Sequence, residues 1–280
     1  MIGRRPYALF ALMAFGYAFL YGPIVSLIVF SFNENKLVTV WSGFSTKWYG
    51  ELLRDQQILD AAFVSLRVAT LTACFAVALG TLAGFCLARF RRFRGRTLFT
   101  GMVTAPLVMP EVITGLSLLL LFVALEDMIG WPAGRGVTTI TLAHITFSMA
   151  YVAIIVQSHL TGMDESLEEA ALDLGAKPAK VFLVITLPII APALVSGWLL
   201  SFTMSLDDLV IASFVSGPNS STLPMVIFSK VRLGVSPEIN ALATIIVLVV
   251  TTGILLSGWV LLGQEKRRKR DEQLAAAANL

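Results

Sequence analysis

The chain has 280 residues, 56% of them hydrophobic and only 14% charged, with a mean hydropathy of +0.81. A soluble domain carries about a quarter charged residues, so this balance excludes a water-soluble globular fold and points to a membrane protein. The formal net charge of +3 comes from basic loops and a basic tail, which read as membrane sidedness and not as a nucleic-acid site.

Six apolar blocks are each long enough to cross a hydrocarbon core, which takes about 20 helical residues. They are Tyr7–Phe32, Ala61–Ala88, Thr97–Leu125, Thr138–His159, Leu187–Val215 and Ile239–Leu262. Helix is the expected state of all six, because lipid offers an open backbone no partner. The first block is too long for a cleavable signal peptide and has no small-residue cleavage site after it. The whole chain, 1–280, therefore reads as a single transmembrane domain.

Between the first two blocks, Asn33–Asp60 carries Trp41, Trp48 and Tyr49, aromatics suited to the headgroup region. Cys74 and Cys86 fall in the second block, separated by about 18 Å of helix. That is beyond disulfide reach, so both read as core thiols. Arg89, Arg91, Arg92, Arg94 and Arg96 follow.

The third block holds Pro106, Pro110 and Glu111. Prolines free helix carbonyls, and broken helices in membranes line cavities or are buried by protein. Glu111 is then either a pathway residue or a structural one, pairing with Arg67 or capping a re-started helix. Glu126–Val137 is a short loop rich in Gly and Pro. In the fourth block His144 and His159 stand alone, with no metal-ligand spacing, and packing or an interfacial position is the expected role of each.

The next loop, 164–186, differs from the others. Ser166 and Glu169 have capping-box spacing, and Ala170, Ala171, Leu172 and Leu174 favour helix. Gly175 fits a helix C-terminus and Pro178 a second helix start. Leu167, Ala171 and Leu174 share one face. The segment predicts a short helix, a glycine turn and a second helix leading into the fifth block. Its small apolar face is suited to a groove on a partner.

The fifth block contains Trp198, Phe202, Asp207 and Asp208. An unpaired carboxylate at mid-bilayer costs at least about 2.5–3.5 kcal/mol, so Asp207, Asp208 and Glu111 are substrate-path candidates. Adjacent residues on a helix are splayed by about 100°. One aspartate is expected to face the path and the other to cap, to pair within the subunit or to face a partner. Trp198 and Phe202 are weaker aromatic candidates. Leu223–Leu233 predicts a short interfacial helix, and Ser236-Pro237-Glu238 a new helix start. The tail runs Lys266 to Arg270. If the blocks alternate across the bilayer, 14 of the 21 basic residues lie on one side. The positive-inside rule makes that side cytoplasmic, with both termini on it.

The loop also carries a longer pattern: Glu169-Ala170-Ala171, Gly175, Ile185 and Leu187-Pro188. It resembles the signature loop of ABC importer permeases at every fixed position. Stretches such as SFNENKLVTVWSGFSTKWYGELLRD, TAPLVMPEVITGLSLLLLFVAL, SLDDLVIASFVSGP and GVSPEINALAT extend the likeness over most of the chain. They resemble the second permease of polyamine importers, that of the putrescine importer more than the spermidine-preferring one. The resemblance implies an all-α fold of six transmembrane helices of the type I importer kind. The short cytoplasmic coupling helix then lies between helices four and five, with Glu169, Ala170, Ala171, Leu174 and Gly175 meeting an ATPase. It further implies a second, different permease, two copies of a cytoplasmic ATPase, a periplasmic polyamine-binding protein and the bacterial inner membrane as the setting. The chain lacks a GxxxxGK[ST] phosphate loop, so it is expected to be a transport subunit and no enzyme, without a cofactor of its own. ATP and Mg²⁺ would belong to the partner ATPase. A permease for another small cation, or an ion-coupled secondary transporter using the same acids, are the alternatives.

Overall fold

The computed structural model describes residues 5–37, 40–90, 92–234, 236–253 and 255. Thirteen α-helices account for most of these, and the β-structure among them is one isolated antiparallel bridge between Asn33 and Phe44. The helices are α1 (Arg5–Phe30), α2 (Lys47–Leu52), α3 (Gln56–Arg89), α4 (Arg96–Val108), α5 (Glu111–Ile129), α6 (Val137–Thr161) and α7 (Ser166–Asp173). They continue as α8 (Pro178–Val181), a π-helical turn at Phe182–Thr186, α9 (Leu187–Ile189), α10 (Ala191–Asp207), α11 (Val210–Val215) and α12 (Leu223–Leu233). The last, α13, is Pro237–Gly253. Contacts divide the chain into two compact units, residues 57–228 and residues 1–56 with 229–280.

Four helices are long and apolar enough to cross a membrane: α1, α3, α5 and α6. A fifth span is formed if Pro178–Ile189 and Ala191–Asp207 are counted together, although they meet at 70°. The predicted sixth block, 239–262, runs past the described residues, within which α13 is a shorter apolar helix.

Proline divides two of the predicted blocks, the first as its Pro106 and Pro110 imply. Thr97–Leu125 is not one helix, because α4 stops at Val108 and α5 restarts at Glu111. Met109 between them has ψ 134°, the extended backbone that a following proline imposes. The block beginning at Leu187 is bent near Ile190, with Pro188 and Pro192 on either side. Neither proline offers an N–H, and each ring crowds the carbonyl four residues back, so the chain kinks. The same block breaks again after Asp207, where Asp208 has ψ 125°.

Within residues 57–228 the hub is α6, most of whose inner stretch is buried. A face of small residues on α3, including Ala69, Ala73, Ala76, Gly80 and Gly84, is buried and lets the two helices approach closely. A Cβ on Gly80 would lie 2.6 Å from Val152 Cβ, and one on Gly84 would lie 2.6 Å from the Ala153 carbonyl oxygen. On another side α10 packs against α6 through Gly197, again against Val152. Near the break, Val68, Phe122, Ile140, Phe147, Ile211 and Val215 form one apolar cluster.

In the other unit no residue of the described apolar face of α1 is buried, and most of it is exposed. A helix hydrophobic all round belongs against lipid or a partner. The loop after it is organised by buried Asn33, whose amide donates to the carbonyls of Leu37 (3.1 Å) and Val40 (2.8 Å). Trp48 is buried and donates to the Asn33 carbonyl at 2.6 Å, and the Tyr49 hydroxyl bonds Ser31. Of the three aromatics expected at the headgroups, Trp48 is therefore turned inward while Trp41 remains exposed. Lys230 on α12 bridges Asp55 and Glu238, which ties the end of that helix to the start of α13.

Candidate functional site

The break in the fifth block is built by three side chains. α10 ends at Asp207 and α11 begins at Val210. Asp208, in the β-region backbone of a capping residue, accepts from the N–H groups of Ile211 (3.3 Å) and Ala212 (2.7 Å). Its Oδ2 also lies 3.1 Å from Nε2 of His144, and Nδ1 of that ring lies 2.6 Å from Ser205 Oγ. His144 and Ser205 are buried, and the Asp208 side chain is 7% exposed. His144 is buried and packed, as expected, and its ring is held by Ser205 and Asp208. Spacing along the chain could not reveal partners 61 and 64 residues away.

The five path candidates fall into different environments. Asp208 is committed to His144 and to two backbone N–H groups, while Asp207, one residue earlier, is exposed at the end of α10. Glu111 is exposed as the first residue of α5, where a carboxylate faces the positive end of a helix dipole. Trp198 and Phe202 stack one turn apart on α10, their ring centroids 5.2 Å apart. The Trp198 Nε1–H donates to the Cys74 sulfur at 3.4 Å. Cys74 is accordingly an exposed thiol and Cys86 a half-buried one, so the expectation of two core cysteines is corrected.

The loop at 164–186 forms its short helix, but not with the expected capping box. Ser166 is the first helical residue, and no side chain caps α7 at Glu165. The turn before it is made by Asp164, whose Oδ1 accepts the Ser166 N–H at 3.0 Å. Hydrogen bonds from the Ser166 backbone and side chain hold the Asp164 carboxyl below its ordinary value. The other end closes as predicted. Gly175 has φ +82°, its N–H reaches the Leu172 carbonyl (2.9 Å), and the Ala176 N–H reaches that of Ala171 (3.1 Å). This is a Schellman motif, and the left-handed residue favours glycine.

No residue of α7 is buried. Glu169, Ala170 and Gly175 are exposed, Ala171 is half-buried and Leu174 is 89% exposed. The helix is held instead by Glu168. Its Oε2 accepts from Arg89 Nε at 2.7 Å, and its Oε1 accepts from the buried Thr186 hydroxyl at 2.6 Å. Arg89 also donates to the Leu160 carbonyl at 3.0 Å. One carboxylate thus joins α7 to the end of α3, and through Thr186 to the π-helical turn before the bent span.

Residues 76–270 match the binding-protein-dependent transport system inner membrane component family. The chain belongs to that family. Within it, the chain is 58% identical over 272 residues to the putrescine transport system permease protein PotI of Escherichia coli, covering 97% of this chain and 96% of that protein. It is 42% identical over 241 residues to the spermidine/putrescine transport system permease protein PotC of the same species, covering 86% and 89%. Among solved structures, a permease chain of a bacterial ABC transporter involved in import of the acidic polysaccharide alginate superposes with a TM-score of 0.72. That likeness has 17% identity and covers 92% and 96% of the two chains, so it speaks to the fold alone. The chain is a transport permease subunit and not an enzyme.

For a permease of this family, the sequence reading missed Glu168, Arg89 and His144. Glu168 lies beside the signature residue Glu169 and was legible as an acid in the first helical turn. In the sequence Arg89 stands as the first of a run of loop arginines. Its position as the last residue of α3 was the available signal, since a basic side chain there meets the helix's negative end.

Proposed function

We propose that this chain is one transmembrane subunit of an ATP-driven polyamine importer, with putrescine as its first substrate. The observation that carries this reading is the 58% identity, across nearly the full length, to a putrescine permease. A second, different permease would complete the pathway, two copies of a cytoplasmic ATPase would bind ATP and Mg²⁺, and a periplasmic protein would deliver the polyamine. The single permease domain would cross the bacterial inner membrane six times with both termini inside.

Energy would enter through the loop at 164–186. Glu169, Ala170, Ala171, Leu174 and Gly175 form an exposed, rigidly turned surface that an ATPase groove could accept. Glu168 would pass its movement to α3 through Arg89 and to the bent span through Thr186. In the membrane, exposed Asp207 is the carboxylate free to meet an ammonium group, with Glu111 a second acid at the start of α5. Trp198 and Phe202 offer aromatic faces one to three turns before Asp207. Asp208 would set the geometry of the break without touching substrate.

The test is reconstitution of the four-component system in proteoliposomes, with labelled putrescine outside and ATP inside. ATP-dependent, vanadate-sensitive uptake is expected. Uptake abolished by an uncoupler and indifferent to vanadate would overturn the reading.

A further inference from the structure

The end of α3 that lies away from the ATPase-facing loop borders a cleft of about 430 Å³. Gln57, Asp60 and Phe63 from the first two turns of α3 line it, with Asn219 and Ser221 from the loop before α12 and Val226 from α12 itself. Asp60 precedes Arg89 by 29 residues of one helix, so the cleft sits about 43 Å along the helix axis from the Glu168–Arg89 pair. That is more than the thickness of a hydrocarbon core. The cleft and the loop at 164–186 therefore belong to opposite membrane faces.

Its chemistry is that of a cation site. Asp60 supplies one carboxylate, Gln57 and Asn219 supply amide oxygens, Ser221 supplies a hydroxyl and Phe63 an aromatic face. Val226 adds an apolar, buried side chain to the lining. The group carries a single formal charge, negative, and no Lys or Arg lines the cleft. An ammonium can take charge-assisted hydrogen bonds from such a set and lie against the ring. The apolar lining of Ala61, Val64 and Val226 suits a short methylene chain.

The walls are held in place. The Ser65 hydroxyl oxygen accepts the Leu223 N–H at 2.7 Å and fixes the start of α12 to α3. Ser220 Oγ bonds both the N–H and the carbonyl of Gly217, at 2.8 and 2.7 Å. A Cβ at Gly217 would lie 2.0 Å from the Arg135 carbonyl oxygen, so the loop is pressed against the segment before α6. Asn219 has φ +56° and is the one non-glycine residue recorded there with a left-handed backbone among the described residues. Asparagine adopts this region more readily than most residues, and Asn219 is among the residues that line the cleft.

We infer that this cleft is an outer receiving site for a short alkyl diammonium, which takes the substrate as it is released on that face and holds it before the pathway opens. The inference rests on the polyamine reading above. It adds a site distinct from Asp207 and Glu111, with Asp60 as its charged anchor.

The assembled importer with its binding protein in proteoliposomes provides the test. Asp60→Asn is expected to lower putrescine transported per ATP hydrolysed about tenfold, with the KM for loaded binding protein unchanged and Asp60→Glu restoring most of the loss. A purely structural role would lower uptake and ATP hydrolysis together. In a second arm Ser221→Cys is placed in a chain with Cys74 and Cys86 replaced by Ala. A cationic methanethiosulfonate should modify it faster than an anionic one, and putrescine should slow that modification. Equal rates for the two reagents, or no protection by putrescine, would overturn the site even if Asp60→Asn failed to assemble. A wild-type complex that imports putrescine beside an Asp60→Asn complex of equal coupling would remove the cleft and leave the polyamine reading standing. A wild-type complex that hydrolyses ATP and imports no putrescine would remove both.

Discussion

His144 Nε2 and Asp208 Oδ2 lie 3.1 Å apart across the interface of α6 with the broken fifth block. In the tautomer that donates from Nε2 to Asp208, the ring's Nδ1 accepts from the Ser205 hydroxyl, and every polar atom of the group is satisfied. Asp208 at the same time ends one helix and starts the next. A carboxylate that looks from sequence like a costly intramembrane charge is thus the fastening of a helix break. Its neighbour Asp207, left outside the group, keeps a free carboxylate at that break.

The two adjacent aspartates should separate by variant. Asp208→Asn keeps the shape but weakens the bonds to His144 and to two backbone N–H groups, and His144→Ala leaves Asp208 buried without its ring partner. Each is expected to cost about 1–3 kcal/mol, the penalty for a buried polar group losing its partner. In a helical domain of this size that is a Tm lower by several degrees. Asp207→Asn should leave Tm within a degree of wild type and lower uptake instead. Thermal unfolding of the purified complex, read beside transport, checks both halves. A destabilised Asp207→Asn with normal uptake would reverse the assignment.

Glu168 predicts a different pattern. Its two oxygens serve Arg89 and Thr186, so Glu168→Ala leaves the buried Thr186 hydroxyl without its acceptor, and Arg89→Ala removes the guanidinium that faces the Glu168 carboxylate. Each is expected to cost about 1–3 kcal/mol. The double variant should cost less than the sum, with a coupling energy of about 1 kcal/mol or more. The surface of α7 proposed to meet the ATPase is untouched, so the ATPase should still co-purify while uptake per ATP falls. A double-mutant cycle on Tm, with pull-down and uptake on the same samples, decides between this and two independent surface charges.

Much of this fold was legible because its signals are local. The apolar blocks mark α1 and α6 to within two residues and α3 to within five, and Gly175 and Pro178 mark the turn after α7. The breaks at Met109 and Ile190 were written in prolines, although only the geometry shows that they divide two blocks. What could not be read were the long-range pairs: His144 with Ser205 and Asp208, Arg89 with Glu168, and Thr186 with Glu168. A sequence displays the charge but not the partner that neutralises it. The capping box failed for a related reason. Ser166 and Glu169 had the right spacing, but the helix starts at Ser166 itself, and Asp164 takes the N–H that the box assigned elsewhere.

Asp164 gives a pH dependence with a definite sign. Its carboxyl is held below its ordinary value of 3.8 by the hydrogen bonds of Ser166. A lowered carboxyl stabilises the folded turn at every pH above the ordinary value, and that contribution is lost as pH falls through the lowered one. Between pH 7 and 5 the start of α7 should therefore be insensitive to pH through this residue. Asp164→Asn should reduce amide-exchange protection of residues 166–169 equally across that range. Exchange measured by mass spectrometry on the intact complex checks it, and a loss of protection growing from pH 7 to pH 5 would contradict the assignment.

A close contact between α3 and α6 gives the last prediction. Gly84 on α3 has the Ala153 carbonyl of α6 where a side chain would begin, 2.6 Å from an ideal Cβ. Backbone cannot swing aside as a flexible side-chain end could, so even Gly84→Ala must push the two helices apart. Gly16 on α1 has open space at the same position and is the matched control. Gly84→Ala is expected to cost about 1–3 kcal/mol, the usual effect of overpacking, whereas Gly16→Ala should be neutral or raise stability by up to about 1 kcal/mol through helix propensity. Separating α3 from α6 also shifts Arg89, which closes the same helix and holds Glu168. Gly84→Ala should therefore lower uptake per ATP as well as Tm, and Gly16→Ala should change neither downward. If Gly84→Ala were as stable and as well coupled as Gly16→Ala, the close α3–α6 contact could not be what positions the loop at 164–186.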